Sequence, residues 1–279
     1  MKWNMTLRSY KIPAYLFSTL CAVIFMYPLF FSVISSLKDN LEIYNSVFSL
    51  PEVWRWSNYK LAFVTAHIDK AVWNSFIYAI AGTLLTLVLG VMASFILTRI
   101  SLRWNGALYI YFIMGLMIPV YSLVIPISRM IGSFNGFNNY FVMIVLYATF
   151  QLPLTIFLIT GFMKGINKEI DESAVMDGCG PATLLFRILT PLSMPAISTA
   201  GILAFFDIYN DLIWNVIMVN DRSMFNISMA LMSFVGERGS SQMGPTFAGI
   251  ILTIIPTIVI YLLFQEKVES GLSAGAVKE

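Results

Sequence analysis

The sequence predicts an all-α integral membrane protein with six transmembrane helices. Hydrophobic residues make up 58% of its 279 residues and charged residues only 11%, whereas roughly 25% of the residues of an average soluble protein are charged. A soluble domain of this size has too little interior to bury so much apolar surface. The apolar residues also fall into six stretches, and each is long enough to cross a bilayer as a helix of about 20 residues.

The six stretches are separated by short polar connections. They lie at about residues 14–37, 72–98, 107–129, 138–162, 190–219 and 247–265. The basic residues Lys2, Arg8 and Lys11 precede the first stretch, as in a signal peptide. That stretch is about twice as long as the apolar core of a signal peptide, and Pro28 interrupts it. We therefore expect it to be retained as the first transmembrane helix.

The chain shows no internal repeat and no low-complexity tract, so we expect one membrane domain. Residues 1–71 hold the N-terminal tail, the first helix and an outer loop. Residues 72–265 form a core of five helices, in which a polar connection spans about residues 164–189. Residues 266–279 form a C-terminal tail.

With six spans, both termini lie on the same side of the membrane. If that side is the cytoplasm, the inner segments hold more lysine and arginine than the outer ones, a weak positive-inside bias. The short loop between the second and third helices carries Arg99 and Arg103 with no acid nearby, which supports this orientation. The sequence therefore predicts cytoplasmic termini and a cytoplasmic connection at residues 164–189.

Composition excludes several classes of function. A net charge of +2 with scattered basic residues does not form a nucleic-acid surface. The two cysteines, Cys21 and Cys179, do not indicate a disulfide framework, and the single histidine, His67, does not indicate a metal site of the usual kind. No nucleophile–base constellation is visible, so we predict no catalytic residue and no cofactor in this chain.

An ATP-binding loop is also missing from the sequence. The stretch 239–246 has the glycine spacing of a Walker A loop, but Pro245 stands where the phosphate-binding lysine is required. If ATP drives this protein, another chain hydrolyses it.

The connection at residues 164–189 has the features of two short helices joined by a turn. Asn167 is expected to cap the first helix, and acidic residues follow in its first turn. Gly178 is expected to end that helix, because glycine readily takes the left-handed conformation of a turn. Pro181 suits the first position of the second helix. Ser173 and Ala174 are expected on the exposed surface of the first helix, where small residues let a partner's backbone come close.

The stretch from Glu172 to Pro195 resembles the EAA loop, the cytoplasmic coupling loop of the permease subunits of bacterial ABC importers. The family pattern is Glu-Ala-Ala, two variable residues and Asp-Gly, followed by Phe, Ile and Pro-Leu at fixed offsets. The positions in register are Glu172, Ala174, Asp177, Gly178, Phe186, Ile188, Pro191, Leu192 and Pro195. Ser173 departs from the pattern but is also small. This register outweighs the alternative of an ordinary interhelical loop with a solvated charged face.

The resemblance extends over nearly the whole chain. Residues 271–278 read Gly-Leu-Ser-Ala-Gly-Ala-Val-Lys, which is similar to the tail of the second permease of maltose-type carbohydrate importers. Further matches are Ser36-Leu37-Lys38, Asn74-Ser75, Met117-Ile118-Pro119, Leu152-Pro153 and Asn210-Asp211. Tyr209 stands where that branch usually has tryptophan. The resemblance implies the type I ABC importer permease fold.

The resemblance also implies a function and its partners. The chain would form half of the sugar pathway of an ATP-driven importer in the bacterial cell membrane. It would pair with a homologous second permease, two nucleotide-binding ATPase subunits that hold ATP and Mg²⁺, and an extracytoplasmic sugar-binding protein. The residues that would contact the ATPase are Glu172, Ser173, Ala174, Asp177 and Gly178 in the coupling loop, and Gly271, Gly275 and Lys278 in the tail.

The fifth stretch carries the polar residues Asp207, Asn210, Asp211 and Asn215. On one continuous helix their spacing places them on one face. An aspartate at the centre of a membrane helix costs about 2.5–3.5 kcal/mol on insertion scales, so such residues usually face a cavity or a partner. Gln151 is a weaker candidate for the same pathway, and its alternative role is an interhelical hydrogen bond.

Three interpretations of this polar stripe remain open. In the first, the side chains line the pathway and bind sugar hydroxyls; in the second, they serve a structural role at the partner permease or at a helix break; in the third, they carry protons. The third corresponds to an alternative function, a self-sufficient ion-coupled secondary transporter that uses Asp207 and Asp211. Such a transporter would work without a partner chain, and it leaves the Glu172 motif unexplained.

Overall fold

Helices form almost the whole chain in the computed structural model, which describes residues 3–46, 48–234 and 242–276. The α-helices of this described part are α1 Trp3–Ser35, α2 Asn40–Asn45, α3 Ser57–Ala66, α4 Ile68–Arg99, α5 Asn105–Met114, α6 Val120–Ser133, α7 Tyr140–Lys164, α8 Lys168–Met176, α9 Pro181–Thr183, α10 Thr190–Leu192, α11 Met194–Tyr209, α12 Ile213–Met218, α13 Ile227–Met232 and α14 Met243–Ala276. A π-helical segment, Leu184–Leu189, joins α9 to α10.

Several of these helices are long and apolar enough to cross a membrane. Within the described residues they are Pro13–Ser35 of α1, Ile68–Arg99, Tyr140–Lys164 and Met243–Leu262 of α14. Two further pairs of helices pass the same criterion together but are sharply bent, by 100° between Asn105–Met117 and Val120–Ser133 and by 77° between Pro181–Leu192 and Met194–Tyr209. Counting each bent pair as one span gives six, the number predicted from the sequence.

The predicted third stretch, residues 107–129, is not a continuous helix. Helix α5 ends at Met114, and a 3₁₀ turn, Gly115–Met117, follows it. Ile118 is extended, with φ −80° and ψ 119°, because the ring of Pro119 disfavours helical geometry in the residue before it. The chain therefore turns at Pro119 before α6 begins.

The predicted fifth stretch, residues 190–219, is also interrupted. It starts in α10, bends before α11, and α11 then ends at Tyr209. Residues 210–212 separate α11 from α12. The expectation that Asp207, Asn210, Asp211 and Asn215 share one helical face is therefore wrong, because the spacing rule applies only within a continuous helix.

The chain divides into two compact units, and the predicted boundary at residue 71 lies close to the end of the first segment. The first unit consists of the described residues of Met1–Ile68 and Leu231–Pro256. In this unit Lys38 is buried, and its ammonium group donates hydrogen bonds to the Ser46 carbonyl at 2.7 Å and to Ser49 Oγ at 3.2 Å. The Asn58 amide donates to the carbonyls of Ser36 and Lys38. These bonds hold the connection that contains α2 and α3 against the end of α1.

The second unit consists of the described residues of Asp69–Ala230 and Thr257–Glu279. It contains two apolar cores. One surrounds Tyr78, Tyr147, Ile208 and Trp214, and the other contains Ile159, Met163 and Leu189. Helices α4 and α7 approach closely at Gly90, where an added Cβ would lie 2.5 Å from Thr155 Cγ2.

This close approach predicts that Gly90→Ala destabilises the protein. The added methyl group overlaps the buried Thr155 and forces α4 and α7 apart, which costs about 1–3 kcal/mol. Gly106→Ala is the matched control, because the position lies in α5 with open space around it and alanine favours a helix over glycine by up to about 1 kcal/mol. Thermal unfolding of the detergent-purified transporter should shift downward for the first variant only. An equal effect of both variants would contradict the packing argument.

Candidate functional site

A cleft of about 780 Å³ opens in the second unit beside the interruption between α11 and α12. This volume lies within the range of small-molecule sites, about 300–1,000 Å³. Its walls come from α6, α7, α11, α12 and the segment between the last two. The lining residues are Val120, Tyr121, Tyr147, Phe150, Gln151, Leu203, Phe206, Asp207, Asn210, Asp211, Leu212, Ile213 and Trp214.

Asp211 holds the interruption of the helix in place. Its carboxylate accepts hydrogen bonds from the backbone N–H groups of Trp214 at 3.4 Å and Asn215 at 3.2 Å, at the start of α12. The first N–H groups of a helix have no partner within it, and the Asp211 carboxylate caps them from one residue before the N-cap position, which Leu212 occupies. The Tyr147 hydroxyl of α7 donates to the same carboxylate at 2.8 Å. Of the interpretations left open by the sequence, Asp211 therefore fits the helix break.

The start of α13 completes this hydrogen-bond network. The Asn226 amide donates to the Asp211 carbonyl, and the Asn226 backbone N–H donates to Asn215 Oδ1 at 3.1 Å. Ser228 Oγ donates to the Asn210 carbonyl at 2.9 Å. Asn215 is fully buried in this network and does not line the cleft, unlike the other candidates of the polar stripe. This cleft does not support its predicted place in the pathway, because the Asn215 side chain is buried in the network.

Asp207 and Gln151 meet at the wall of the cleft. Asp207 lies on α11 with its side chain exposed, whereas Gln151 on α7 is buried. The Gln151 amide donates a hydrogen bond to the Asp207 carboxylate. Gln151 thus makes the interhelical bond that the sequence offered as its alternative role, and it lines the cleft as well.

Aromatic side chains form much of the remaining wall, and the sequence analysis did not select them. Phe150 stacks on Trp214 with ring centroids 4.8 Å apart. Tyr121 is 76% exposed at the mouth of the same cleft. The spacing of Tyr147, Phe150 and Gln151 could have indicated a shared face of α7, because residues three and four apart are neighbours on a helix.

A hydrogen-bonded loop follows α12 and is held by Asn138, which lies in the turn before α7. Asn138 Oδ1 accepts from the backbone N–H groups of Asn220 and Asp221, at 2.6 and 3.0 Å. The Ser223 backbone N–H donates to the exposed Asp221 carboxylate, and this bond lowers the pKa of that group from its ordinary value. The loop is therefore ordered by side chains from outside it.

The segment of residues 164–189 has the local structure predicted for it. The Asn167 side chain caps α8 by accepting from the Glu169 backbone N–H at 3.1 Å. Gly178 has a φ of +83°, in the left-handed region that favours glycine. Pro181 occupies the first turn of α9. The N-cap, the glycine turn and the proline start are thus confirmed.

Helix α8 is attached to the rest of the second unit by a largely buried ion pair. Arg99 Nε lies 2.5 Å from Asp171 Oδ2, and the two side chains are only 5% and 13% exposed. The Arg99 guanidinium also donates to the Ile166 carbonyl at 3.1 Å. The sequence analysis used Arg99 only as a marker of orientation. An arginine at the end of one apolar stretch and an acid on a later polar helix gave no signal that the two would pair.

The two small residues of the coupling motif lie on different sides of α8. Ala174 is 6% exposed and packs into the core that contains Met163 and Leu189. Ser173 is exposed, as are Glu172, Asp177 and Gly178. Ala174 therefore contacts this chain's own core, and the expectation that it lies on the outer surface is corrected. Its small size suits the close packing of α8 on that core.

An apolar patch borders the exposed acids of α8. Val175 is 58% exposed and Met176 is 88% exposed. Phe186, in the π-helical segment that follows, is 59% exposed. Exposed apolar residues beside charged ones are typical of a surface that binds another protein.

The remaining predictions from the sequence concern the tail residues and a metal site. Gly271 and Gly275 lie within α14, and Lys278 lies outside the described residues. Among the residues that the structure describes, no group of three or more His, Cys, Asp or Glu side chains is arranged to hold a metal ion.

Comparisons with known proteins agree with one another. The family model for the binding-protein-dependent transport system inner membrane component matches residues 86–273. The diacetylchitobiose uptake system permease protein NgcG of Streptomyces coelicolor is 27% identical over 260 residues, which are 93% of this chain and 86% of that protein. The trehalose transport system permease protein SugB of Mycobacterium tuberculosis is 30% identical over 263 residues, 93% of this chain and 92% of that protein.

A solved structure supports the fold. The crystal structure of a bacterial ABC transporter involved in the import of the acidic polysaccharide alginate matches with a TM-score of 0.78 at 19% identity, over 93% of this chain and 96% of that chain. At this identity the likeness shows the fold alone. The predicted class, an all-α membrane protein with the type I ABC importer permease fold, is confirmed.

The capping role of Asp211 predicts different effects of two substitutions. Asp211→Ala removes the carboxylate that caps the start of α12, at about 0.5–2 kcal/mol, and leaves the Tyr147 hydroxyl without its acceptor, at about 1–3 kcal/mol. Asp211→Asn is the matched control, because an amide oxygen in the place of Oδ2 still accepts from Tyr147 and from the Asn215 backbone N–H, and only the 3.4 Å bond from the Trp214 N–H is lost. Thermal unfolding of the purified transporter should therefore be strongly shifted by alanine and little by asparagine. Equal losses would mean that the charge of Asp211, and not its capping geometry, holds the break.

Proposed function

We propose that this chain, which belongs to the family of binding-protein-dependent transport system inner membrane components, acts as the permease subunit of an ATP-driven sugar importer. The observation that carries the proposal is the family match over residues 86–273. The matched range includes both the cleft and the segment around α8. The chain is a multi-pass membrane protein and a transport subunit.

Its relatives support sugars as the transported class. NgcG is named for the uptake of diacetylchitobiose and SugB for the transport of trehalose, and both align with more than nine-tenths of this chain. We infer a mono- or oligosaccharide as the substrate. The cleft beside Asp207 forms this chain's share of the pathway, half of it in the assembled transporter. There the Asp207 carboxylate accepts hydrogen bonds from sugar hydroxyls, and the stacked Phe150 and Trp214 offer an apolar wall to the sugar ring.

The proposed assembly contains four kinds of partner. A homologous second permease completes the pathway, two nucleotide-binding subunits bind ATP and Mg²⁺ and hydrolyse the nucleotide, an extracytoplasmic sugar-binding protein delivers the substrate, and a lipid bilayer surrounds the spans. The family description names dependence on a binding protein, which supports the sugar-binding protein as a partner. Arg99 at the end of α4 and Arg103 in the loop that follows support an orientation with both termini in the cytoplasm of a bacterial cell.

The attachment of α8 supports its role as a lever. The Arg99–Asp171 ion pair joins α8 to the end of α4, and Ala174 packs into a core that also contains Val91, Ile159 and Leu189. Because these contacts are buried, a force on the exposed face of α8 moves the helix together with the ends of α4 and α7. The exposed Glu172 and the patch of Val175 and Met176 then form the surface on which the ATPase acts. ATP-driven closure of the ATPase pair would thereby open the pathway to the binding protein, and hydrolysis would reset it.

The proposed function is tested by purifying the tagged chain from its native membrane in mild detergent. Mass spectrometry should recover a second permease and a nucleotide-binding subunit with it. The ATPase activity of the preparation should rise when the cognate sugar-binding protein and its sugar are added. Recovery of the chain by itself, with transport that survives ATP depletion and is abolished by an uncoupler, would instead support the ion-coupled alternative with Asp207 and Asp211.

The lever predicts that Glu172→Ala uncouples ATP hydrolysis from transport. A hydrogen bond to a charged group contributes about 1.5–3 kcal/mol, so its loss at the ATPase surface corresponds to about a tenfold or greater loss of coupling. Sugar uptake into cells should fall accordingly, while the variant still inserts into the membrane. Glu169→Ala is the matched control, because Glu169 is also exposed on α8 but is bonded to its own helix cap, Asn167. Normal uptake by the Glu172 variant would contradict the lever.

A further inference from the structure

The lining of the cleft is acidic in the part of the chain that the structure describes. Asp207 and Asp211 are the charged residues among the lining side chains, and no lysine, arginine or histidine accompanies them. The other polar groups are the amides of Gln151 and Asn210 and the hydroxyls of Tyr121 and Tyr147. A charged ligand in this cleft therefore meets negative charge on the protein side.

No ion pair within the described residues neutralises these carboxylates. The salt bridges of that part join Arg55 to Asp39 and Arg99 to Asp171, and none of these residues lines the cleft. The groups bonded to Asp207 and Asp211 are neutral donors, namely an amide, a hydroxyl and backbone N–H groups. Neutral donors orient a carboxylate without cancelling its charge.

The two carboxylates differ in what they offer to a ligand. Asp211 is half-buried, and both of its oxygens already accept hydrogen bonds from Tyr147 and the start of α12. Asp207 is exposed, and among the described residues its bond comes from the Gln151 amide. Asp207 is therefore the residue that meets the ligand, whereas Asp211 adds its charge to the field of the cleft.

We propose that this cleft selects saccharides by charge: it admits neutral and amine-bearing sugars and disfavours sugars that carry a carboxylate or sulfonate, with Asp207 as the specificity-determining residue. Clefts lined by charge of one sign within low-dielectric walls focus their field and raise or lower the local concentration of ions by about tenfold or more. A carboxylate accepts hydrogen bonds from hydroxyl and ammonium groups but repels another carboxylate.

The proposal rests on the proposed function, since it names the class of sugar that the permease carries. The proposal also implies that two permeases with the same fold can select sugars of different charge. The alginate importer takes an acidic polysaccharide and shares the fold at 19% identity. The side chains that line the cleft, and not the arrangement of the helices, would therefore decide which charge is accepted.

The charge of the cleft is tested by cysteine labelling of the chain in its native membrane. Cys21 and Cys179 are both partly exposed, so they are first replaced by serine, and Tyr121→Cys then places a thiol at the mouth of the cleft. A cationic and an anionic methanethiosulfonate reagent of similar size are the probes. The cationic reagent is expected to react faster, and Asp207→Asn should lower the ratio of the two rates by about tenfold. Asp69→Asn, an exposed carboxylate outside this cleft, should leave the ratio unchanged.

The sugar class is tested by protection of the same thiol in the absence of binding protein. The probes are diacetylchitobiose, its deacetylated diamine and a digalacturonate. The neutral and amine-bearing disaccharides are expected to slow the labelling, and the uronate is expected to protect only after Asp207→Asn. The proposal would be overturned by faster labelling with the anionic reagent or by a rate ratio that Asp207→Asn does not change. It would also be overturned if the uronate protected the thiol in the unmodified cleft, or if none of the three sugars protected it. The rate ratio requires neither ATP nor transport, so it stays informative if the purification test of the importer fails.

Discussion

Backbone amide and carbonyl groups inside a bilayer have no water to bind, so the chain must satisfy them itself. Continuous helices do this along most of the described residues. The interruption between α11 and α12 is the exception that matters for function, because it frees backbone groups close to the middle of the chain's polar stripe. Side chains satisfy them there: Asp211 binds the N–H groups of α12, while Asn226 and Ser228 bind the carbonyls of Asp211 and Asn210.

The same network creates the cleft. Residues 210–212 separate α11 from α12, and the space beside this break is walled by α6 and α7. Tyr147 reaches Asp211 and Gln151 reaches Asp207, so α7 is bonded to both sides of the interruption. Both carboxylates line the cleft, but Asp211 also accepts from the backbone of α12, whereas Asp207 is exposed. Both residues are aspartates, so the sequence does not reveal this difference.

In the proposed function, the segment around α8 must move with the membrane helices although it lies outside them. A buried ion pair is weak evidence for stability, because the desolvation of both charges offsets much of their attraction. Its geometry is nonetheless specific, and in this chain it fixes which face of α8 is turned inward. Ala174 then packs against the core, and Glu172 and Ser173 are left exposed. In the proposed function, the motif therefore combines Ala174, which attaches the helix, with exposed neighbours that contact the ATPase.

The sequence by itself determined the class of the protein, the number of spans, the cap at Asn167, the glycine turn at Gly178 and the match to the permease family. Composition, local conformational preference and motif register are properties of adjacent residues, so they can be read without a structure. The tertiary structure alone decided that the fifth span is interrupted after Tyr209, that Arg99 pairs with Asp171, and that Asn215 and Ala174 face inward. It also brought Phe150 and Trp214 to the cleft. These features depend on contacts between residues far apart in the chain, and no local pattern specifies which distant partner will satisfy a buried charge or a broken helix.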